Sequence, residues 1–121
     1  NYPHYYSYEF LNVQQMAEAY KAATVAVSRC GMATLSELSY LAKPAILIPL
    51  PRSHQVDNAR VFEESSAAIV LDQPVLERTF FVKKIKALLA DQNLRAELSK
   101  NIAAVIKRGA AAELAKIILT N

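Results

Sequence analysis

With one cysteine and two glycines, this sequence closes off several possibilities at once. The lone Cys30 excludes an internal disulfide and suits a reducing compartment. Gly31 and Gly109 are the whole supply of glycine, so neither the P-loop nor the dinucleotide fingerprint can be written here. No apolar run approaches the length of a membrane-spanning helix. "PAILIPLP" and "AAIVL" are strand-sized, and Glu113 and Lys116 interrupt the alanine-rich end. The opening residues "NYPHYYSYEF" lack the basic patch and apolar run of a secretory signal. They also lack an initiating Met, and the chain is expected to be part of a longer protein. His54 has no Cys or carboxylate partner at ligand spacing, so no metal centre is expected. Ser28, His54 and Asp57 have no nucleophile-elbow context and are not read as a triad.

What is present fits a single helix-rich globular domain over residues 1–121, 53% hydrophobic and 21% charged. The net charge of +3 is unevenly spread. Residues 1–81 carry six Lys/Arg against eight Asp/Glu, whereas residues 82–121 carry eight against three. A basic helical end can meet nucleic acid or an anionic membrane surface. A solvated helix face is the plainer reading, and no nucleic-acid partner is expected.

Along the chain, "YYSYEFL" (5–11) alternates and is rich in aromatics, which predicts a strand. "VQQMAEAYKAA" (13–23) has Val13, Met16, Ala17 and Tyr20 at helical spacing. "TVAVS" (24–28) predicts a buried strand, followed by the turn "RCGMA" and a helix over about 34–42. Pro44 ends that helix, since the residue before a proline avoids the α region. "AILIPL" predicts a further strand, "PRSHQVDNARVFEESS" a loop and helix, and "AAIVL" (67–71) a fourth strand. Helices over about 79–91, 93–107 and 110–119 close the chain. Strands without alternation, each separated by a helix, predict an α/β fold. This is a Rossmann-like, three-layer parallel sheet of about four strands with helices on both faces. The C-terminal helices pack at its end. Ligands of such sheets bind where the strands' carboxyl ends lead into loops, here "LNVQQ", "SRCGMAT", "PLPRSHQ" and "LDQPVLE".

Two clusters can carry chemistry. In the turn after the second strand, Thr34 and Glu37 have capping-box spacing, which needs no ligand. The remaining N–H groups of the same helix end suit a phosphate or diphosphate, and small residues from Gly31 to Thr34 let it approach. Arg29 adds a charge there or pairs at the surface. Cys30, beside that turn, is either a thiol of lowered pKa or a small buried filler. In "HQVDNAR", Gln55 and Asn58 lie three apart on one helix face and suit sugar hydroxyls. Capping by Ser53 or Asp57 with solvated amides is the alternative. Tyr5, Tyr6 and Tyr8 are read as sheet residues rather than a base-stacking platform.

Taken in order, these pieces resemble a known family. Arg29, Gly31, Thr34 and Glu37, a strand bounded by Pro44, then His54, Gln55, Asn58 and Ala59 match the pattern of the MurG N-acetylglucosaminyltransferase family. The resemblance covers its C-terminal, donor-binding domain and runs from about residue 8 to the end. It implies the GT-B fold and a donor, UDP-N-acetylglucosamine, with no cofactor and no metal. It also implies site residues. Glu37 would take the ribose hydroxyls, and Met32, Ala33 and Thr34 the diphosphate beside Arg29 and Gly31. Gln55 and Asn58 would read the N-acetylglucosamine, and Phe10, Leu11 and Met16 would hold the uracil. The implied reaction is an inverting, metal-independent transfer to lipid I that makes lipid II for peptidoglycan. Its acceptor site, membrane-facing patch and catalytic base belong to the family's N-terminal domain, so no catalytic residue is expected in this chain, which alone should be inactive. By the same resemblance the full protein would be cytoplasmic and peripheral on the inner face of the cell membrane, against its anionic surface. Readings left open are a non-catalytic UDP-sugar-binding subunit working with a separate chain, another glycolipid glycosyltransferase, and a UDP-sugar epimerase. A short sheet with an unprotected edge also predicts self-association.

Overall fold

The computed structural model describes residues 3–73 and 77–106. Eight elements follow one another: α1 (Val13–Ala22), β1 (Ala26–Ser28), α2 (Met32–Tyr40), β2 (Ala45–Leu47), α3 (His54–Glu64), β3 (Ile69–Val70), α4 (Arg78–Ala90) and α5 (Gln92–Val105). The strands form a parallel sheet in the order β1-β2-β3. Ala26, Val27 and Ser28 pair with Ala45, Ile46 and Leu47, and Ile46 and Leu47 pair with Ile69 and Val70. Helices cover both faces, as the alternation of strand and helix predicts.

Why both faces need covering is written in β2, all three of whose residues are buried. Successive side chains of a strand point to opposite faces. Ala45 and Leu47 pack with Leu35 and Leu38 of α2, Ala59 and Phe62 of α3, and Ile102 of α5. Ile46 packs the other way, with Leu88 of α4 and Leu98 of α5. Helix α5 therefore contributes to both cores.

One polar contact joins the first core to that helix. The buried Ser39 hydroxyl of α2 donates to the Ile102 carbonyl at 2.6 Å, in the last turn of α5, where carbonyls lack intrahelical partners. In return Ser99 of α5 donates to the Ala42 carbonyl at 2.7 Å, just past α2. Ala42 itself sits at φ +52°, in the left-handed turn that closes α2 before Pro44.

Three expectations from sequence are revised. Residues 5–11 form no strand, so the sheet has three strands rather than four. Alternating aromatics favour a pleated surface only when a neighbouring strand supplies hydrogen bonds and packing. Tyr5, Tyr6, Tyr8 and Phe10 are exposed instead, Phe10 by 80%. The helix after β1 begins at Met32 rather than about 34, which places Thr34 and Glu37 further along it. The third sheet strand is shorter than 67–71, although Leu71 N–H still donates to the Leu47 carbonyl at 2.9 Å. The helix expected at 110–119 lies outside the described residues.

Ser39→Ala leaves the Ile102 carbonyl buried without its donor and is expected to cost about 1–3 kcal/mol. Urea unfolding checks this: the midpoint should fall with the slope unchanged.

Candidate functional site

Loops at the carboxyl ends of β1 and β2 meet the first turns of α2 and α3. The two helices start differently. Ser53 caps α3, accepting from Gln55 N–H at 3.2 Å and donating to the Leu50 carbonyl at 2.7 Å. Asn12, Glu77 and Asp91 likewise cap α1, α4 and α5 with side-chain oxygens. Among the described helices α2 stands apart: its N-cap is Gly31, and no side chain bonds its first N–H groups. A Cβ placed on Gly31 would meet nothing within 4 Å, and its φ of −69° suits any residue. Neither backbone strain nor internal packing demands a glycine here. Its effect is open space in front of unsatisfied amides and the positive end of a helix dipole.

The Thr34–Glu37 capping box is therefore overturned. With Met32 as the first helical residue, Thr34 is the third and Glu37 lies more than a turn along. A true capping box occurs at α1, where Asn12 Oδ1 accepts from Gln15 N–H at 2.8 Å and Gln15 Oε1 accepts from Asn12 N–H at 3.0 Å.

Freed from capping, Glu37 lies on the wall of a cavity of about 630 Å³ between α1, α2 and the segment before α1. Phe10, Leu11, Met16, Tyr20 and Tyr40 share that wall, so four residues picked from sequence, Phe10, Leu11, Met16 and Glu37, come together. Partial burial raises the proton affinity of the Glu37 carboxyl, and the nearby Tyr20 hydroxyl offsets part of the rise. Tyr20 is shifted up in turn, by its own burial first and then by the charge of Glu37. Tyr20 was legible only as an apolar residue of α1; its ring does pack on the core, but its hydroxyl serves the cavity. Nothing in the spacing signalled the second role.

Of the remaining sequence-selected residues, Arg29, Gly31, Met32, Ala33 and Thr34 sit at or just before the start of α2, and Gln55 and Asn58 in the first turns of α3. Met32 is exposed and Thr34 half-buried at that helix end. Arg29 turns its Nη1 onto the carbonyls of Ile48 and Pro49, at 3.3 and 3.4 Å, rather than outward. Gln55 Oε1 accepts from the N–H groups of both Cys30 and Leu50, each at 3.0 Å, and Asn58 Nδ2 donates to the Cys30 carbonyl at 3.0 Å. Two backbone donors on one atom fix that atom as the oxygen of the amide. Gln55 Nε2 and Asn58 Oδ1 are what these side chains have left for a ligand. Ser28 donates to the Arg29 carbonyl at 2.8 Å. Cys30 is fully buried, and burial pushes its thiol up to about 11 against the lowering influence of Arg29, the reverse of an activated cysteine. Among the described residues no three His, Cys, Asp or Glu side chains converge on a point where a metal ion could sit.

A Gly-started helix following β1, a buried β2 and a Gln/Asn-bearing α3 form a constellation with known counterparts. The glycosyltransferase family 28 C-terminal domain matches residues 2–115. This chain belongs to that family. Similar proteins include the UDP-N-acetylglucosamine–N-acetylmuramyl-(pentapeptide) pyrophosphoryl-undecaprenol N-acetylglucosamine transferases of Rickettsia akari and Sorangium cellulosum. The first is 38% identical over 97 residues, spanning 78% of this chain and 25% of that protein. The second is 37% identical over 110 residues, spanning 88% and 27%. The crystal structure of Acinetobacter baumannii MurG superposes with a TM-score of 0.70 at 24% identity, over 88% of this chain and 31% of its own, which shows a shared fold. The chain thus spans about a quarter to a third of the length of these relatives.

Two outcomes follow for the family 28 domain. A carboxyl whose folded-state pKa is raised binds its proton more tightly when folded, so it lowers stability as pH rises through that pKa. Glu37→Gln is expected to be more stable than the parent at pH 7, the gap closing as pH falls below the ordinary value of 4.5. Thermal melts across pH check this, and a parent more stable than the variant at pH 7 contradicts it. Cys30 in the native protein should resist a thiol reagent at pH 8 and react fully once unfolded.

Proposed function

We propose that this chain is the donor-binding part of a glycosyltransferase that moves N-acetylglucosamine from its UDP conjugate to a lipid-linked acceptor, as the relatives' names describe for those proteins. The observation that carries the reading is the start of α2: an N-terminus without a side-chain cap, fronted by the open space at Gly31. A diphosphate supplies the acceptors such a terminus lacks, and the helix dipole favours its charge.

On this reading the amides of Met32, Ala33 and Thr34 hold the diphosphate. Glu37 accepts from the ribose hydroxyls, and Phe10, Leu11 and Met16 line the cavity for the uracil. Gln55 and Asn58 offer their remaining polar atoms to the sugar. The acceptor's hydroxyl oxygen bonds to the anomeric carbon as the bond from that carbon to the diphosphate oxygen breaks, with inversion. UDP leaves with the bonding electrons, and the acceptor's proton passes to a base outside this chain. Negative charge grows on the leaving diphosphate, and fixed helix amides stabilise it without rearranging. The chemistry needs no cofactor. The acceptor is lipid I, the full protein works on the inner, anionic face of a bacterial membrane, and the chain expressed alone is inactive and self-associates through the edges at β1 and β3.

In the protein that carries this chain, Glu37→Ala should raise KM for UDP-N-acetylglucosamine by about 10- to 100-fold, the loss of hydrogen bonds to a charged group, with kcat less affected. An unchanged KM removes Glu37 from the donor site. Gly31→Ala should melt close to the parent, since its Cβ meets open space, yet bind UDP more weakly. Undiminished UDP affinity in that variant contradicts a diphosphate at this helix end.

A further inference from the structure

Three side chains at the donor edge of the sheet are bonded to the protein's own backbone. Arg29 reaches from the end of β1 to the carbonyls of Ile48 and Pro49, which follow β2. Gln55, at the start of α3, holds Cys30 N–H on one loop and Leu50 N–H on the other with a single oxygen. Asn58, one turn further, holds the Cys30 carbonyl. Cys30 thus has both its N–H and its C=O tied to α3, and the next residue is Gly31, which opens α2. The loops after β1 and β2 have no other side-chain bond between them among the described residues, and the Cys30 side chain is sealed in the core.

We infer that Gln55 and Asn58 are positioning residues that clamp the Cys30–Gly31 turn, and that this clamp, with Arg29, sets the aim of α2's first N–H groups at the donor's diphosphate. The inference rests on the donor-site reading above and changes what these amides do in it. Their principal partners are backbone atoms on two loops, and sugar contacts fall to the atoms left over. Preorganised donors gain their value from being fixed before the ligand arrives, and a turn free to drift forfeits it. A clamp predicts something that a sugar reader does not. Ligands without any sugar beyond the ribose should also depend on Gln55 and Asn58.

The test is calorimetric titration of the full protein with UDP and, separately, UDP-N-acetylglucosamine, for the parent, Asn58→Ala and Gln55→Met, below each variant's melting temperature. Amide hydrogen exchange on the same samples supplies a readout independent of ligand. The expected result is UDP affinity falling by about tenfold or more in both variants, the equivalent of one lost hydrogen bond or so. UDP-N-acetylglucosamine should fall at least as far. Exchange should accelerate at Cys30 and residues 31–34 in both variants, and at Leu50 in Gln55→Met, while β2 stays protected. If UDP affinity is unchanged and only the sugar conjugate weakens, the amides read the sugar and the inference is overturned. It is overturned equally if exchange at Cys30 and residues 31–34 is unaltered in Asn58→Ala, or if exchange at Cys30 and Leu50 is unaltered in Gln55→Met. A parent that binds neither ligand defeats the donor-site reading instead, and the exchange arm still decides whether the turn is clamped. Should Gln55→Met fail to fold, Asn58→Ala alone decides, since it removes a single donor and leaves the two N–H partners of Gln55 in place.

Discussion

Ile46 and Leu47 sit on a strand that is buried on both faces, and burying both faces of so short a strand needs a parallel neighbour on each edge and helices above and below. That requirement places α2 and α3 on the same core as Leu47, with α4 on the other side behind Ile46. It also brings the ends of β1 and β2 level, because their register is fixed residue by residue from Ala26 and Ala45. Position at the sheet's carboxyl edge is therefore inherited from hydrophobic packing. The polar ties of Arg29, Gln55 and Asn58 refine what the core has already brought close.

The site that results is split in character. One side is apolar and roomy, lined by Phe10, Leu11 and Met16 with the Glu37 carboxylate at its wall. The other is a corner of backbone amides at the start of α2. Glu37 is half-buried with its proton affinity raised by desolvation, an arrangement that a protein selected only for stability would avoid. The nearby Tyr20 hydroxyl moderates the rise, on a ring that packs against the main core.

Much of this was legible in the sequence, and the exceptions are instructive. The strand–helix alternation, the buried β2 and the breaks at Pro44 and Asp91 are local signals reinforced by packing, and each lies within a few residues of its expected place. "YYSYEFL" shows why β-propensity alone misleads: the alternation is real, but no strand of the sheet pairs with it, and these aromatics stay exposed. Thr34-x-x-Glu37 has the letters of a capping box, yet helix ends depend on where backbone dihedrals turn, and Gly31 starts the helix earlier. The candidate residues could be picked as a set because the spacing of Arg29, Gly31, Glu37, Gln55 and Asn58 is a pattern along the chain. Their hydrogen-bond partners were not. Cys30 and Leu50 are 25 and 5 residues from Gln55, and only the fold places both at one oxygen.

The central claim is that the first amides of α2 receive a nucleotide diphosphate while Glu37 receives its ribose. A crystal structure of the protein that carries this chain, bound to UDP-N-acetylglucosamine, tests it most directly. The account predicts phosphate oxygens within hydrogen-bond distance of the N–H groups of Met32, Ala33 or Thr34, and both ribose hydroxyls on the Glu37 carboxylate. A nucleotide bound elsewhere, or a Glu37 side chain still turned to Tyr20 with the ribose out of reach, would contradict it.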